Sequence, residues 1–208
     1  FVFKDGAWEL DNSSSWKKPG YSQGDEHPVT CVNWEEAKGF CAWLNSLEEG
    51  LNYRLPSDEE WGAAVGGEKY PWGSEWPVPE GVGNYFAKEM EDEYPGYPLT
   101  SEASDAFTRA APVASFPANA SGFYDLGGNL WEWCEDAYKS TMNTADILEE
   151  YPVLQVESYS DGTPFRVLRG GSWSYNSEGN LRSAYRDLNL PTCRSFDYGF
   201  RPVVEVAP

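Results

Sequence analysis

Histidine is nearly absent from this sequence of 208 residues, since His27 is the single example. A histidine-based metal centre or a Ser-His-Asp site would therefore depend on that one ring. Cysteine is also scarce: Cys31, Cys41, Cys134 and Cys193 are widely spaced and match no zinc-binding pattern. A disulfide framework stays open, although a chain of this size does not need one to fold.

Basic residues are few, with 15 Lys and Arg against 34 Asp and Glu and a formal net charge of -19. Such a surface repels nucleic-acid phosphates and anionic lipids, which argues against nucleic acid as a partner, and it suits divalent cations. The sequence has no signal-peptide pattern and no apolar run long enough to cross a bilayer, so direct membrane insertion is not expected. The chain begins at Phe1 rather than Met, and the sequence does not by itself indicate a localisation.

Aromatic residues are abundant: 10 Trp, 13 Tyr and 10 Phe predict a core in which aromatic burial carries much of the stability. Twenty Gly and 15 Pro argue against long regular elements. Residues 1–10 predict a hairpin around Asp5-Gly6, and residues 28–32 and 130–133 predict short strands. Residues 70–111 show almost no regular pattern, and so long an irregular stretch needs something to hold it in a compact domain.

Two capping patterns predict two short helices. Asn33 followed by Glu36, and Ser57 followed by Glu60, each match a capping box. The first helix is expected to end near residues 45–47. It is expected to bury one stripe, formed by Trp34, Ala37, Phe40, Cys41, Leu44 and Leu47.

Oxygen-bearing side chains near glycine turns are candidate ion ligands. Asp125 and Glu132 flank Gly127-Gly128-Asn129, and calcium is often held by carboxylates together with backbone carbonyls on tight loops. An equally good interpretation is that Asp125 caps the turn while Glu132 lies at the surface. Asn84 and Asp105 are weaker candidates for ion binding.

The segment between Trp173 and Gly199 mixes Tyr, Ser, Asn, Asp and Phe without a helical period or sustained strand alternation. That mixture is typical of binding loops in which aromatic side chains give rigid contact area and Ser or Asn give adaptable hydrogen bonds. An ordinary surface loop explains the same residues, and on these residues alone it is slightly favoured.

Several motifs follow one another along nearly the whole chain. They are His27-Pro28-Val29, Val32-Asn33-Trp34-Glu35-Glu36-Ala37, Tyr53-Arg54-Leu55-Pro56-Ser57, Tyr70-Pro71-Trp72-Gly73, residues 122–133, Arg169-Gly170-Gly171-Ser172-Trp173 and Gly199-Phe200-Arg201. In content and order they resemble the formylglycine-generating-enzyme (sulfatase-modifying factor) family. The resemblance implies an α+β, C-type-lectin-like fold over residues 1–208, with two short helices, small antiparallel sheets and much irregular chain. The family's usual opening segment is missing, so Phe1 is expected to lie inside a longer protein.

The family resemblance also implies two calcium sites. The first would use the side chains of Asn84 and Asp105 with the carbonyls of Tyr85 and Phe107. The second would use the side chains of Asp125 and Glu132 with the carbonyls of Gly128 and Leu130. All the side-chain ligands are present, which favours structural calcium over simple turn capping.

The family's oxidase activity does not carry over by resemblance. Its enzymes hold copper through two cysteines shortly after the Gly-Gly-Ser motif, and here Tyr175 and Asn180 stand near those positions. Copper(I) needs soft thiolate ligands, and Cys193 alone cannot supply a pair. Iron-dependent relatives need three histidines. The chain is therefore expected to hold no copper and not to be an enzyme; a copper-dependent oxidase, or an inactive relative of one, is the alternative.

A further resemblance is to variable proteins of diversity-generating retroelements, which end in the same frame of Arg-Val-x-Arg-Gly-Gly-Ser-Trp, Asn-Leu-Arg-Ser-Ala and Gly-Phe-Arg. In those proteins the intervening residues arise from asparagine codons randomised at adenines. Trp, Met, Lys, Glu and Gln cannot arise in that way, and none occurs at the candidate variable positions. These positions are Leu168, Ser174, Tyr175, Asn176, Tyr185, Asp187, Leu188, Asn189, Leu190, Cys193, Ser195, Phe196, Asp197 and Tyr198.

This second resemblance implies a ligand-binding display protein at the cell surface or secreted, whose residues 166–202 bind a protein or other surface ligand. The candidate variable side chains are expected to face solvent. Tyr175, Tyr185, Phe196 and Tyr198 would be the main contacts, because rigid aromatic surface dominates such interfaces. On this hypothesis, Tyr198→Ala weakens binding and leaves the melting temperature nearly unchanged.

Overall fold

The structure is a computed structural model that describes residues 2–4, 7–9, 13–140, 157–175 and 177–206. It has two helices, small sheets and much irregular chain, which confirms the predicted α+β fold class. Helix α1 spans Trp34–Leu47 and helix α2 spans Asp58–Val65. Among the described residues, no helix is long and apolar enough to cross a membrane.

The strands form two two-stranded sheets and one four-stranded sheet. The first pair is β1 (Val2–Lys4) with β2 (Ala7–Glu9), the predicted N-terminal hairpin, and the second is β3 (Leu51–Arg54) with β8 (Val203–Val206). The larger sheet has the order β6-β5-β4-β7. Its strands are β4 (Trp131–Ala137), β5 (Arg166–Arg169), β6 (Asp187–Asn189) and β7 (Tyr198–Gly199). The β4–β7 pair is parallel and the other two pairs are antiparallel.

Both predicted capping boxes are present. The Asn33 side chain accepts a hydrogen bond from the Glu36 amide, and the Glu36 carboxylate accepts one from the Asn33 amide. Ser57 and Glu60 make the same reciprocal pair at the start of α2. These bonds satisfy amide groups that a helix start leaves without partners, which explains why the two helices begin where the sequence predicts.

Two local predictions are wrong. Residues 28–32 form no strand: Cys31 has a φ of 57°, and its amide bonds to the Ser195 carbonyl instead of a strand ladder. On α1, Trp34, Ala37 and Cys41 are buried as expected, but Phe40 and Leu47 are exposed. Those two residues lie at one edge of the predicted stripe, on the side of the helix that faces away from the core.

Strand β4 organises the core because it is buried on both faces. Trp131 and Trp133 pack with Leu55 and Leu168 in one cluster, whereas Cys134 belongs to a second cluster beyond the sheet. Fully buried aromatic side chains dominate these clusters and their neighbours, as the composition predicts. The sheet therefore gives the C-terminal segment a rigid base.

Candidate ligand-binding pocket

The C-terminal segment starts from a tight glycine turn after β5. Gly170 and Gly171 have φ angles of 99° and 75°, a region that favours glycine. A Cβ atom at Gly171 would lie 2.5 Å from Leu181 Cδ2, so the turn also needs a residue without a side chain. Trp173 follows the turn and is buried. The structure thus assigns a packing role to each frame residue of this turn.

The candidate variable side chains do not project freely into solvent, and that expectation is wrong. Leu168, Phe196, Asp197 and Tyr198 are buried, while Asn176 lies outside the described residues. The remaining positions are partly buried: Ser174, Tyr175, Tyr185, Asp187, Leu188, Asn189, Leu190, Cys193 and Ser195. The segment contributes two strands to the sheet, so side chains on alternate positions turn toward the core.

Leu168 is a scaffold residue rather than a contact residue. It is 0% exposed and packs in the cluster that contains Trp131 and Trp133. Its backbone stands opposite Trp133 on β4 and opposite Asp187 on β6. Because it is the inner residue of a central strand, it has no access to a ligand.

Tyr198 also belongs to the core. It is 7% exposed, and its ring packs edge-on against Trp133 with a centroid distance of 5.5 Å. Its hydroxyl accepts a hydrogen bond of 2.9 Å from Asn189 Nδ2. The expectation that Tyr198→Ala leaves the melting temperature unchanged is therefore wrong, because the substitution removes a packed aromatic ring.

Many of these residues instead line one concave site. A pocket of 450 Å³ is bounded on one side by residues of the C-terminal segment and on the other by residues of the long irregular stretch. We call these sides the variable wall and the fixed wall. The variable wall consists of Ser174, Tyr175, Asn189, Ser195, Phe196, Asp197 and Tyr198. The fixed wall consists of Phe86, Met90, Tyr94 and Tyr97.

The fixed wall is held by local hydrogen bonds and by the core. The Thr100 amide donates to the Phe86 carbonyl at 2.9 Å, and the Tyr94 amide donates to the Met90 carbonyl at 2.8 Å. Phe86, Met90 and Tyr94 share a core cluster with Trp173 and Phe196. The sequence pattern does not predict that these residues line a pocket. Its only signal was an unusual number of aromatic residues in a stretch without periodicity.

Asp197 is the charged group of the pocket. Its carboxylate is 2% exposed and accepts hydrogen bonds from Ser172 Oγ at 2.7 Å, Ser174 Oγ at 2.9 Å and Ser195 Oγ at 2.5 Å. Burial raises the pKa of Asp197, and the three hydroxyl donors oppose that rise. Burial likewise raises the pKa of nearby Asp187 to about 6. This end of the segment therefore places two carboxyl groups in a desolvated setting that opposes their ionisation.

Tyr175 fills the region where the family's first copper-binding cysteine is expected. Its ring packs edge-on against Trp131 at 5.2 Å, and burial raises the pKa of its hydroxyl. All four cysteines are free, and three are buried: Cys31, Cys41 and Cys134. Burial raises the pKa of every one of these thiols, Cys193 included, which disfavours the thiolate that copper needs.

The residues of the first predicted calcium site fit a cation. Asn84 is 1% exposed, and its Oδ1 has no hydrogen-bond partner among the residues that the structure describes, although its Nδ2 donates to the carbonyl of Arg109. The Asp105 carboxylate accepts from the amides of Tyr85 and Phe107, which brings these three residues together. Burial raises the pKa of Asp105 to about 6. A buried amide oxygen without a partner beside a desolvated carboxylate is what a hard cation would stabilise.

The residues of the second predicted calcium site do not fit in the same way. Both Glu132 oxygens are engaged by the Arg201 guanidinium, at 2.5 and 2.6 Å, and Oε2 also accepts from Trp61 Nε1 at 2.9 Å. Asp125 Oδ2 accepts from the Ala114 amide. The arginine supplies to Glu132 the positive charge that calcium would bring, and it also donates to the Asp125 backbone carbonyl, so Arg201 forms an ion-paired turn with these two residues.

Clusters of three or more His, Cys, Asp or Glu side chains able to hold a metal are absent from the described part of the chain. The first predicted calcium site contains only one carboxylate, together with an amide and backbone carbonyls. The sequence predicts Asn129 only as a turn residue, but the structure gives it a linking role. Its Oδ1 accepts from the Ala111 amide and from Asn84 Nδ2, so it ties the irregular stretch to the start of β4.

Comparison with known proteins identifies the family. Residues 3–206 match the Sulfatase-modifying factor enzyme 1-like domain. The chain belongs to the sulfatase-modifying factor family. The chain is 33% identical over 192 residues to the Serine/threonine-protein kinase pkn1 of Chlamydia caviae, which covers 88% of the chain and 24% of that relative. It therefore spans only a minor part of this long family member.

Other family members carry names of opposite meaning. The Inactive C-alpha-formylglycine-generating enzyme 2 of Mus musculus is 32% identical, with 93% of this chain and 56% of that protein covered. The Formylglycine-generating enzyme of Streptomyces coelicolor is 30% identical, with 93% and 59% covered. The family thus contains both enzymes and inactive relatives, and the chain spans less than two thirds of each.

A solved structure shares the fold. Treponema denticola variable protein 1 superposes with a TM-score of 0.63 at 24% identity, covering 91% of this chain and 74% of that one. This likeness, together with the family match, confirms the C-type-lectin-like, formylglycine-generating type of fold predicted from the motifs.

Proposed function

We propose that this chain is a ligand-binding protein in which a fixed scaffold presents a pocket with one exchangeable wall. The observation that carries the proposal is the composition of that pocket: seven lining residues come from the candidate variable positions, and four come from outside the segment. The frame residues Gly170, Gly171 and Trp173 are buried in the scaffold. Exchange at the partly buried positions of the variable wall, such as Ser174 and Asn189, would therefore alter recognition more than it alters the frame, whereas Tyr198 also belongs to the core.

The chemistry of the pocket supports binding. Aromatic side chains offer large, rigid contact area with little loss of conformational entropy, and Ser174, Asn189 and Ser195 add polar groups to the lining. A concave, mostly apolar site with a few converging polar groups is the usual form of a binding site. By analogy with the variable protein that shares its fold, the partner would be a protein or other surface ligand, met at the cell surface or after secretion.

The cysteine chemistry favours binding over oxidase activity. Tyr175 is packed into the region expected for a copper ligand, and the buried thiols of Cys31, Cys41 and Cys134 sit in an environment that opposes thiolate formation. The inactive mouse relative shows that this family includes proteins named as lacking the activity. We therefore propose a binding role without catalysis and without copper.

Structural calcium is a further part of the proposal, at the first site only. Asn84 Oδ1 and the Asp105 carboxylate would bind the ion together with the carbonyls of Tyr85 and Phe107. The ion would fasten residues 84–107, which include the whole fixed wall of the pocket. It would stabilise the site rather than contact the ligand.

An array of random-sequence peptides tests the binding proposal. Purified protein is applied to the array and compared with Tyr175→Ala and Tyr97→Ala, one variant from each wall. Tyr159→Ala is the matched control, because Tyr159 is an exposed tyrosine outside the pocket. We expect a set of peptides whose signal falls at least about tenfold in both wall variants and persists in the control.

A parallel assay tests the oxidase alternative. The protein is titrated with copper(I) and incubated with a cysteine-containing sulfatase peptide under oxygen. We expect no tight one-to-one copper binding and no aldehyde product. Formation of the aldehyde, or peptide signals that do not differ between the wall variants and the control, would overturn the proposal.

A further inference from the structure

The pocket differs in one respect from other buried acidic sites of the described chain. Asp58, Glu132 and Asp197 are the buried acidic residues there. Asp58 forms ion pairs with Arg169 at 3.1 Å and Arg186 at 2.6 Å, and Glu132 pairs with Arg201. Within the described residues Asp197 has only the three serine hydroxyls and no ion pair with lysine or arginine. Burial opposes the ionised form of Asp197, the three hydroxyl donors favour it, and a cation that enters the pocket would stabilise it further, as the arginines do at the other two sites.

The walls around Asp197 suit the same kind of group. The pocket is lined by the rings of Phe86, Tyr94, Tyr97, Tyr175 and others, and Asp197 is the one ionisable carboxylate among the described lining residues. The face of an aromatic ring carries negative potential, so an organic cation is attracted both to the rings and to the carboxylate. An anion would meet the carboxylate without compensation, and a neutral group would leave its charge unbalanced.

We infer that the pocket binds an organic cation, an ammonium or guanidinium group on the partner, with its charge directed to Asp197 and its carbon stem against the aromatic walls. This inference rests on the proposed binding function and names the chemistry of its ligand. The volume of 450 Å³ accommodates a lysine- or arginine-sized side chain with part of its backbone. The net charge of -19 draws cationic partners to the protein before they reach the pocket.

Four small probes test the charge preference on the unmodified protein. Three probes carry the cation on the side chain: Nα-acetyl-lysine amide, its Nε-trimethylated form and Nα-acetyl-arginine amide. Nα-acetyl-norleucine amide is the neutral match. Binding is followed by isothermal titration and by the tryptophan and tyrosine fluorescence of the protein. We expect at least one cationic probe to bind with a Kd about tenfold or more below that of norleucine amide, and the three cations to reveal whether the site favours ammonium, methylated ammonium or guanidinium.

Two variants locate the cation. Asp197→Asn is expected to abolish the preference for cations while norleucine amide binds as before. Because Asp197 is buried, the fold of this variant is checked by circular dichroism. Tyr97→Ala is the second variant, since Tyr97 is 56% exposed and its removal spares the core. It is expected to weaken cation binding at least about threefold at an unchanged melting temperature, whereas Tyr159→Ala has no effect.

Specific outcomes overturn the inference. They are equal affinity for cationic and neutral probes, tighter binding of norleucine amide, no saturable binding of any probe up to about 50 mM, or cation binding that Tyr97→Ala leaves unchanged. If peptides on the array still depend on Tyr175 and Tyr97 in those cases, the inference about charge fails and the proposed binding function stands. If the array also shows no dependence on the pocket, both fail.

Discussion

Tyr198 shows how one side chain can serve the core and the pocket at once. One part of its ring packs against Trp133, and the residue also lines the variable wall. A larger or smaller residue there changes the base of the sheet as well as the ligand site. Positions of this kind differ from Ser174 and Ser195, whose small side chains lie at the partly exposed rim.

Removing the ring of Tyr198 is expected to destabilise the protein. Tyr198→Ala should lower the free energy of unfolding by about 3–5 kcal/mol, because a large buried aromatic group is replaced by a cavity. Tyr198→Phe keeps the ring and loses only the hydrogen bond from Asn189, so its cost should be about 1 kcal/mol. Urea unfolding followed by tryptophan fluorescence measures both values. Equal stability of the two variants would show that the ring is not packed as described.

At the scale of secondary structure, the helices are the elements that the sequence predicts best. Their starts are encoded within four residues by the capping boxes of Asn33 and Ser57, so no distant contact is needed to place them. The stripe of α1 was correct at its centre and wrong at Phe40 and Leu47, because the extent of burial depends on what packs against the helix. The apolar pattern of a helix predicts which face is turned to the core, but not how much of that face the rest of the protein covers.

The capping box of α2 gives a direct test at this scale. Ser57→Ala removes the side-chain acceptor for the Glu60 amide and should cost about 1 kcal/mol in the free energy of unfolding. Ser74→Ala is the control, since Ser74 is an exposed serine in a turn. Thermal unfolding should show a lower melting temperature for Ser57→Ala and an unchanged melting temperature for Ser74→Ala. A loss of stability that is as large in the control would contradict a specific capping role.

The pocket could be predicted only on one side. The motif around Gly170-Gly171 and the residue types allowed at the candidate variable positions predict the variable wall, and seven of the 14 candidate positions line it. The fixed wall was beyond prediction, because Phe86 to Tyr97 have no periodicity and are positioned by bonds such as Thr100 to Phe86. The direction of each variable side chain also depends on the strands β6 and β7, which are only three and two residues long.

At the scale of the whole molecule, the irregular stretch is as much a part of the scaffold as the sheet. Asn129 connects it to β4, and the core cluster around Trp173 receives four of its buried side chains: Phe86, Met90, Tyr94 and Ala110. A cation at Asn84 and Asp105 would add a further link within the same stretch, beside the hydrogen bond from Asn84 to Asn129. The stability of the whole chain should therefore respond to calcium.

Calcium is expected to raise the melting temperature. At a calcium concentration about 100 times its Kd, the gain is about 2.7 kcal/mol, or about 5–10 °C for a chain of this length. Asp105→Asn removes the negative charge with little change of shape and should abolish the gain. Asp125→Asn is the matched control at the ion-paired turn and should retain it. Differential scanning calorimetry with calcium and with a chelator makes the comparison, and a gain that survives Asp105→Asn would refute the site.

The four-stranded sheet receives the C-terminal segment twice, with β6 beside β5 and β7 beside β4. Residues 190–197 are thereby tied down at both ends through main-chain hydrogen bonds, and every amino acid except proline can supply such bonds. The position of this stretch is consequently fixed by backbone atoms, which do not depend on the side chains. Under the proposed binding function, a partly buried position of this stretch such as Ser195 could therefore change its side chain while the stretch keeps its place on the sheet.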